Sequence, residues 1–510
     1  MLSIVKSFGL NGLEGSVVSV EVDIARGLPT YDIVGLADTA IKESKQRVRA
    51  SIKNSGFDFP MDKITINLAP ADTKKEGSLY DLPIAVAILS ATNQIPIDKV
   101  KSYAFIGELS LDGSLRGVKG VLPILITAKS CGITKIIIPK DNEGEARFIE
   151  GLEVYAASSL KEVFDYFNGN ILLEPVPIIS YEEAKQENVY PFDYQIVKGQ
   201  ASAKRAMEIA AAGGHNVLMI GPPGSGKTLI AKCFPSILPD MTFEEALEVT
   251  KIHSVAGTLD SKVGLVFNRP FRAPHHTATT VALTGGGHNA KPGEISLAHN
   301  GVLFLDELPE YSRYSIETLR QPLEDGVITV ARNAQTVVYP ASFTMIASMN
   351  PCPCGNYGSK VQECKCTPMQ IHKYLNKISG PLMDRIDLHV EFDGLSYKEL
   401  NSNKTEETSS DIKKRVDFAR KVQLERFKGK KIYNNSKMTS SMIKKYCALD
   451  EECSRILEQA FVKLKLSARA HDRILKVART IADLDGSDKI TIDHLLEAIS
   501  YRSLDNKYWV

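Results

Sequence analysis

The first third of the chain alternates between strand-like and helix-like patterns of apolar residues. A period of two is typical of strands with one buried face, and a period of 3.6 is typical of amphipathic helices. These patterns predict strands at 16–22, 63–68 and 135–139 and helices at 37–54 and 81–91. The alternation over residues 1–170 predicts a mixed domain of strands and helices.

The pattern changes twice after that domain. Residues 174–192 are polar, acidic and punctuated by prolines, which indicates a linker, bounded here as 171–193. Buried-strand runs then alternate with helical segments to about Phe392, and a polar break at 401–410 precedes a helical remainder. We therefore predict an α/β domain over 194–395 and a helical domain over 396–510.

An apolar run at 216–220 leads into an octapeptide with the spacing of a phosphate-binding loop. Three glycines let the backbone turn and direct its N–H groups at phosphates, the lysine reaches the β- and γ-phosphates, and the threonine hydroxyl ligates Mg²⁺. The order of strand, loop, lysine-threonine and helix is complete, so the chain binds ATP or GTP. The loop consists of Gly221, Pro222, Pro223, Gly224, Ser225, Gly226, Lys227 and Thr228.

Two further apolar strands end in polar residues. The run 301–305 is followed by Asp306 and Glu307, which would hold the Mg²⁺ water shell and polarise the attacking water. The run 343–349 is followed by Asn350, which could orient that water. An acidic helix cap and a plain turn are the competing interpretations. Together the three side chains favour a nucleotide hydrolase.

Composition and charge limit the class of protein. The chain has 510 residues, 43% of them hydrophobic, and a net charge of +1, which fits about three domains and excludes a uniformly basic nucleic-acid coat protein. No run approaches the ~20 apolar residues of a transmembrane helix. Without an apolar secretory leader at the N-terminus, we expect a cytoplasmic protein without membrane contact.

Four of the eight cysteines lie close together. Two C-x-C pairs are separated by nine residues, so one loop could supply four thiolates to a structural Zn²⁺. Reduced thiols in a surface loop are the alternative. The candidate ligands, in a predicted insertion at 350–367, are Cys352, Cys354, Cys364 and Cys366.

Several short sequence segments outside these motifs resemble those of a known family. They are Val197-Lys198-Gly199-Gln200, the 271–276 run Phe-Arg-Ala-Pro-His-His, residues 379–388 around Asp384-Arg385, and Ser467-Ala468-Arg469-Ala470. With the phosphate-binding loop they resemble AAA+ ATPases of the helix-2-insert branch, shared with magnesium-chelatase motors and MCM helicases. The whole chain resembles the magnesium chelatase-like ComM/YifB family. The resemblance implies ATP and Mg²⁺ as cofactors, a C-terminal helical lid and a hexamer with sites between subunits.

The resemblance also assigns arginines. Arg385 matches the arginine finger that completes a neighbouring subunit's site, with an intramolecular salt bridge to Asp384 or Asp387 as the competing account. Arg469 matches the lid arginine that senses the γ-phosphate, and Arg473 is the fallback. A solvated basic helix face is the alternative there. We interpret His275 and His276 as structural.

Two insertions are expected to face the pore of the ring. Lys291 lies in the first, 277–294, and Arg332 lies in the second, a predicted hairpin at 326–340. Both cations could follow a phosphate backbone without reading sequence. Surface loops with incidental charge are the alternative. The lysine-rich segment 398–445 is either a further DNA contact or a solvated face.

Residues 1–170 resemble the Lon-protease and ribosomal-S5-like α+β domain. The protease chemistry is not matched, because Ser78 is shifted relative to the Lon nucleophile and no glycine follows it, and Lys119 is followed by Gly120 and Val121. A Ser-Lys dyad is chemically conceivable. We nevertheless expect a catalytically inactive domain.

The resemblance implies a DNA translocase or helicase that promotes branch migration when incoming single-stranded DNA recombines during natural transformation. Single-stranded and branched DNA, copies of the same chain and recombination proteins are then the expected partners. A chelatase motor lacks support, since no metal-adhesion segment is present, and a protease lacks its Ser-Lys context. A remodelling chaperone acting on proteins stays open.

Overall fold

The computed structural model describes residues 1–185, 190–260, 263–287, 290–332, 335–358, 362–394, 406–430, 432–464, 466–504 and 508–509. The chain forms two compact units. The first contains Met1–Glu187 and Thr242–Phe267, and the second contains Asn188–Met241 and Asn268–Val510.

The strands fall into one large sheet in each unit and three small pairs. They are β1 (Leu2–Asn11), β2 (Glu14–Ala25), β3 (Thr30–Val34), β4 (Lys63–Ala69), β5 (Tyr103–Phe105), β6 (Glu108–Leu109), β7 (Leu115–Arg116), β8 (Lys135–Pro139), β9 (Glu153–Ala157), β10 (Val217–Ile220), β11 (Phe271–Arg272), β12 (Gly285–Gly286), β13 (Lys291–Pro292), β14 (Val302–Leu305), β15 (Val327–Arg332), β16 (Gln335–Pro340), β17 (Thr344–Met349) and β18 (Leu388–Glu391).

The α-helices are concentrated in the last quarter of the chain and between the strands of both sheets. They are α1 (Thr39–Asn54), α2 (Asp81–Ala91), α3 (Ile97–Val100), α4 (Val121–Ser130), α5 (Glu143–Ala146), α6 (Leu160–Asn168), α7 (Tyr181–Ala184), α8 (Ala201–Gly213), α9 (Lys227–Cys233), α10 (Phe243–Ala256), α11 (Thr280–Thr284), α12 (Glu294–Leu297), α13 (Arg313–Glu317), α14 (Arg320–Asp325), α15 (Pro368–Leu375), α16 (Gly380–Met383), α17 (Ser409–Arg426), α18 (Ser440–Tyr446), α19 (Glu451–Lys463), α20 (Ala468–Leu484) and α21 (Ile492–Ser500).

The first unit is built on a mixed seven-stranded sheet in the order β3-β4-β2-β1-β5-β8-β9. β1 and β2 pair antiparallel from Leu2 opposite Asp23 to Asn11 opposite Glu14. Buried and solvent-facing side chains alternate along β1 and β4, so each strand buries one face. The strands and helices predicted in this region are confirmed, with α1 beginning after Asp38, whose carboxylate accepts a hydrogen bond from the Ile41 N–H at 2.9 Å.

Helix α10 packs in the first unit, although the sequence places it within the segment 194–395. The Ser254 hydroxyl donates to the Glu145 carboxylate at 2.6 Å, and the same carboxylate accepts from the Leu122 N–H at 2.9 Å. Burial raises the pKa of Glu145. This buried carboxyl therefore joins α10 to the first turn of α4.

The second unit is built on a five-stranded parallel sheet in the order β11-β14-β17-β10-β18. Parallel strands bring all their carboxyl ends to one edge, where ligands of such sheets bind. β17 lies between β10 and β14, so the residues that follow these three strands are neighbours. These are the phosphate-binding loop, Asn350 and the Asp306–Glu307 pair.

The C-terminal helices share a hydrophobic core with the parallel sheet. Buried side chains from α17 and α20, such as Val416, Ile474 and Ile481, pack in one cluster with Val217 of β10 and Ile209 of α8. The helical remainder predicted after the polar break at 401–410 is confirmed for the described residues, and its first helix begins at Ser409, inside that predicted break. Within the described part of the chain, no helix is both long enough and apolar enough to cross a membrane.

Candidate nucleotide-binding and hydrolysis site

The backbone of the phosphate-binding loop depends on glycine at specific positions. Gly224 and Gly226 adopt φ angles of +75° and +91°, a conformation that disfavours side chains. Gly221 is required for a different reason, since a Cβ there would lie 2.6 Å from the Phe392 Cβ. The loop therefore passes close to the end of β18 before helix α9 begins at Lys227.

The Lys227 ammonium group lies inside the loop. Its Nζ donates to the carbonyl oxygens of Gly221 at 2.7 Å and Pro222 at 2.8 Å, and it lies 3.4 Å from the Asn350 Oδ1. Burial lowers the pKa of Lys227 to about 8. The ammonium is thus held only by neutral oxygens and lacks a direct anionic partner within the described residues.

We expect the affinity for ATP to fall as the pH rises above about 8, the pKa of Lys227 in the free site. A bound triphosphate raises that pKa, because the charged ammonium is favoured beside anions. Below the free-state pKa both states carry the proton and affinity is constant. Above it, binding takes up a proton, so affinity falls by about tenfold per pH unit until the bound-state pKa is passed.

The measurement is the Kd of a non-hydrolysable ATP analogue between about pH 7.5 and 9.5. Lys227→Arg keeps its charge throughout this range and should give a flat profile. A flat profile for the wild-type chain would contradict the prediction.

Thr228 and Asp306 meet at the carboxyl edge of the sheet. The Thr228 Oγ1 donates to the Asp306 Oδ2 at 3.0 Å, and the Ser348 hydroxyl donates to Asp306 Oδ1. Ser348 also accepts from the Glu307 N–H at 3.2 Å. The serine on β17 thereby orients both acidic residues, a role that sequence reasoning missed because Ser348 lies inside an apolar strand.

Glu307 adopts a left-handed backbone conformation, with φ of +53°, which is uncommon for a residue with a side chain. Its carboxylate is 53% exposed and lies 3.6 Å from the His276 Nδ1. The Tyr311 hydroxyl donates to the Pro274 carbonyl oxygen at 2.5 Å and holds the histidine's segment in place. His276, interpreted from sequence as structural, therefore lies beside the candidate catalytic carboxylate.

Gln200 connects the phosphate-binding loop to the end of β18. Its Nε2 donates to the Ser225 carbonyl oxygen at 3.4 Å and to the Asp393 carbonyl oxygen at 2.9 Å. Gln200 itself has a φ of +53°. The segment Val197-Lys198-Gly199-Gln200 can be recognised in the sequence alone. The contact of Gln200 with the phosphate-binding loop depends on the fold and could not be predicted.

The arginines lie at the opposite edge of the sheet. Arg385 lies three residues before the start of β18, and its carbonyl oxygen accepts from the side chain of Asn216, which directly precedes β10, at 3.0 Å. Its buried guanidinium pairs with Glu324 and donates to the Pro381 carbonyl oxygen at 2.6 Å. A salt bridge is thus present, but with Glu324 in place of the aspartates considered above. Arg385 therefore lies at the amino edge, away from the loop of its own chain.

Arg469 and Arg473 differ in their surroundings. Arg473 pairs with the buried Asp387, whose pKa is held low by Arg473 and His215 against the effect of burial. Arg469, in the first turn of α20, is exposed and has no hydrogen-bond or ion-pair partner among the residues that the structure describes. The Arg473 guanidinium is therefore paired with a buried carboxylate, whereas the Arg469 side chain is exposed to solvent.

Comparison with known proteins identifies the family. Three family models match: magnesium chelatase subunit ChlI over residues 193–400, subunit ChlI of Mg-chelatase over 20–142, and the ChlI C-terminal model over 406–502. The uncharacterized protein YifB of Escherichia coli (strain K12) is 45% identical over 509 residues, 99% of this chain and 97% of YifB. The chain belongs to the magnesium chelatase-like ComM/YifB family.

Two other relatives extend the comparison. The competence protein ComM of Haemophilus influenzae is 42% identical over 510 residues, 99% of this chain and 98% of ComM. Lon protease 2 of Bacillus subtilis is 29% identical over 178 residues, which cover 32% of this chain and 31% of the Lon protease 2 chain. These matches and the parallel sheet agree with the predicted mixed α/β fold, with a magnesium chelatase-type AAA domain and partial similarity to Lon proteases.

In this ComM/YifB-family chain, the Ser78 hydroxyl donates to Glu108, and the Lys119 side chain packs over Gly257. No hydrogen bond between Ser78 and Lys119 is present among the described contacts. The serine and lysine considered for a protease dyad therefore have other partners.

The four clustered cysteines come together beside the phosphate-binding loop. Their sulfur atoms lie within 4.8 Å of one another, with Cys352 and Cys364 at 3.7 Å and Cys354 and Cys364 at 3.6 Å. Four sulfurs at 2.3 Å from one tetrahedral Zn²⁺ would lie about 3.8 Å apart. Backbone N–H groups of Asn356 and Lys365 lower the pKa of Cys354 to about 6. The cluster is compatible with a zinc site.

The two insertions of this family member contact each other. The buried Tyr339 on β16 donates its hydroxyl proton to the Ala290 carbonyl oxygen at 2.9 Å. The predicted hairpin is confirmed as β15 and β16, paired from Val327 opposite Pro340 to Arg332 opposite Gln335. Lys291 on β13 is exposed and has no described partner. His288, Asn289 and the side chain of Arg332 lie outside the described residues.

Proposed function

We propose that this chain is an ATP-hydrolysing motor that moves on DNA. The observation that carries the proposal is the juxtaposition of Lys227, Thr228, Asp306, Glu307 and Asn350 at one edge of a parallel sheet. It is supported by similarity along almost the whole chain to a protein named for competence. The specific activity that we propose is that of a DNA helicase, which promotes branch migration when incoming single-stranded DNA recombines during natural transformation.

Each residue at the carboxyl edge has a role in hydrolysis. Lys227 would contact the β- and γ-phosphates of bound ATP, and Thr228 and Asp306 would hold Mg²⁺, which would supply positive charge to the phosphates. Glu307 accepts a proton from the attacking water, which Asn350 orients. Asn350 already lies 3.4 Å from the Lys227 ammonium, so both can face the γ-phosphate.

The motor is proposed to be a cytoplasmic hexamer of the helix-2-insert AAA+ branch, with residues 396–510 as its lid. Arg385 lies at the amino edge of the sheet, so it can complete a site only on another subunit. Arg469 is exposed, and its helix begins beside the Arg385 segment, where Ser467 donates to Asp384 at 3.3 Å, so it would sense the γ-phosphate of that neighbouring site. Residues 1–170 form an inactive Lon-like domain, separated by a linker at 171–193.

The DNA is proposed to contact the two insertions, through Lys291 and Arg332. Tyr339 ties the hairpin to the glycine-rich insertion, so the two can move together. Both cations would contact phosphates, and single-stranded or branched DNA would bind without sequence preference. Recombination proteins are the further expected partners.

The test is the ATPase rate with and without single-stranded and forked DNA. We expect DNA to raise the rate, and the rise to vanish in Lys291→Gln combined with Arg332→Gln. A rate that no DNA changes would overturn the DNA motor and favour a remodelling chaperone or a chelatase-type motor acting on a protein.

We also propose that Cys352, Cys354, Cys364 and Cys366 hold a structural Zn²⁺. Gly355 lies within this loop, and a Cβ there would be 2.7 Å from the Pro223 Cδ, so the loop packs against the phosphate-binding loop. Four thiolates leave no open position on the ion, which makes its role structural.

Metal removal gives a measurable prediction. Purified chain should contain about one zinc per subunit, and Cys354→Ser combined with Cys364→Ser should abolish it and lower the free energy of unfolding by several kcal/mol. Cys131→Ser, at an exposed cysteine outside the cluster, should change neither metal content nor melting temperature. Zinc-free wild-type chain that melts at an unchanged temperature would contradict the assignment.

A further inference from the structure

The lysine-rich segment in the C-terminal helices divides into two parts with different surroundings. Its first cations are neutralised. Lys413 pairs with Asp240 at 2.6 Å and Lys414 with Asp411 at 3.1 Å, while Arg415 pairs with Glu208 and Glu407. The charge of these three side chains is therefore already balanced by carboxylates.

The later lysines are arranged differently. Lys430 and Lys445 each place an ammonium 5.2 Å from the centre of the Tyr446 ring, and the Lys430 Nζ lies 3.4 Å from the tyrosine hydroxyl. Lys430, Lys444 and Lys445 are exposed and have no carboxylate partner among the described residues. Lys428 has one, Glu425 at 3.8 Å, and both side chains are about four-fifths exposed. Four ammonium groups therefore face solvent with one weakly placed carboxylate.

The support beneath these lysines is rigid. Tyr446 packs edge-on against the buried Phe427, with ring centres 5.9 Å apart. Arg426, at the end of α17, donates to the buried Asp483 at 2.7 Å and to Asn435 at 3.0 Å. Ile443 and Cys447, on either side of the lysines and tyrosine of α18, are buried. The ammonium groups thus project from a fixed platform.

Helix polarity explains only part of this arrangement. Lys444 and Lys445 lie in the last turn of α18, where cations stabilise a helix by about 0.3–1 kcal/mol each. Lys430 lies beyond the end of α17 and comes to the same tyrosine from another element. Gathering like charges from two elements on one ring has an electrostatic cost unless an anion binds there.

We propose that Lys430 and Lys445, which both approach Tyr446, form a binding surface for the phosphate backbone of DNA together with the exposed Lys428 and Lys444 near them in the sequence. This surface rests on the proposed function and adds a DNA contact outside the two insertions. The aromatic ring is already covered by lysines, so it supports the cations and does not offer a face for base stacking. The contact is therefore to phosphates and independent of sequence.

The test measures the affinity of the full chain for fluorescent single-stranded DNA over a range of salt concentrations. Each phosphate contact contributes about 0.7 to the log–log salt slope on single strands. Lys430→Gln combined with Lys445→Gln should make the slope shallower by about 1.4 and weaken binding roughly 20-fold at about 0.1 M salt. Lys430→Arg combined with Lys445→Arg should keep the wild-type slope.

The matched control is Lys413→Gln combined with Lys414→Gln, which removes the same charge from paired positions and should leave the slope unchanged. Thermal unfolding of each variant confirms that it folds. If the wild-type chain binds DNA and the Lys430→Gln/Lys445→Gln variant binds it with the same affinity and salt slope, this inference is overturned. The lysines would then be assigned to another anionic partner, such as an acidic protein surface. Wild-type chain that binds no DNA overturns the proposed function itself.

Discussion

Glu307→Gln should lower kcat for ATP hydrolysis by about 10²- to 10³-fold and leave the affinity for ATP within about threefold of wild type. The amide keeps the size and hydrogen-bonding reach of the carboxylate but cannot accept the water's proton. Glu307 does not touch Lys227 or Thr228 in the structure, so the contacts proposed for the phosphates are retained.

The measurement is steady-state ATPase activity together with the Kd of a labelled nucleotide. Glu310→Gln is the matched control, because Glu310 lies three residues away, is 45% exposed and pairs with Lys377 at 3.5 Å. It should hydrolyse ATP at the wild-type rate. Full activity in Glu307→Gln would remove Glu307 from the chemistry and leave Asp306 as the candidate base.

Local patterns in the sequence predicted the elements and the motif that define this edge of the sheet. An apolar run before Gly221 and another before Asp306 each indicate a strand, and parallel strands must bring their ends together. Thr228 and Asp306, 78 residues apart, do lie 3.0 Å from each other. The sequence was sufficient to predict this edge because the strand pattern and the motif spacing each depend only on residues that are close together in the chain.

Contacts between distant segments could not be predicted in the same way. Arg385 pairs with Glu324, 61 residues earlier, although two aspartates lie beside it in the sequence. His276 reaches Glu307 only because β11 and β14 are neighbours in the sheet. Lys413 and Lys430 look alike in the sequence, but among the residues that the structure describes only Lys413 meets a carboxylate, that of Asp240. Such pairings depend on the three-dimensional positions of whole elements.

The structural unit in which α10 packs could not be predicted from the sequence either. Its sequence has an ordinary N-cap, with Thr242 accepting from the Glu245 N–H at 3.3 Å, and nothing local indicates which unit it joins. Its placement depends on Ser254 meeting the buried Glu145.

Arg385→Ala should lower kcat by about 10³-fold while ATP still binds, because an arginine finger acts on charge that develops in the transition state. In the proposed assembly this effect is exerted on a neighbouring subunit. Arg385 lies before β18 and the phosphate-binding loop lies after β10, so four-residue strands separate them by about 13 Å. In a lone chain, Arg385 instead pairs with Glu324.

Mixing two inactive variants distinguishes action within a chain from action between chains. Lys227→Ala subunits keep a functional Arg385, and Arg385→Ala subunits keep a functional phosphate-binding loop. In equal random mixtures about a quarter of the interfaces would combine both intact parts, so activity should return to about that fraction. The Lys227→Ala variant mixed with the Lys227→Ala/Arg385→Ala double variant has no intact interface and should stay inactive. Mixed assemblies that form but never recover activity would mean that Arg385 does not complete a neighbour's site, and its pair with Glu324 would then be its whole role.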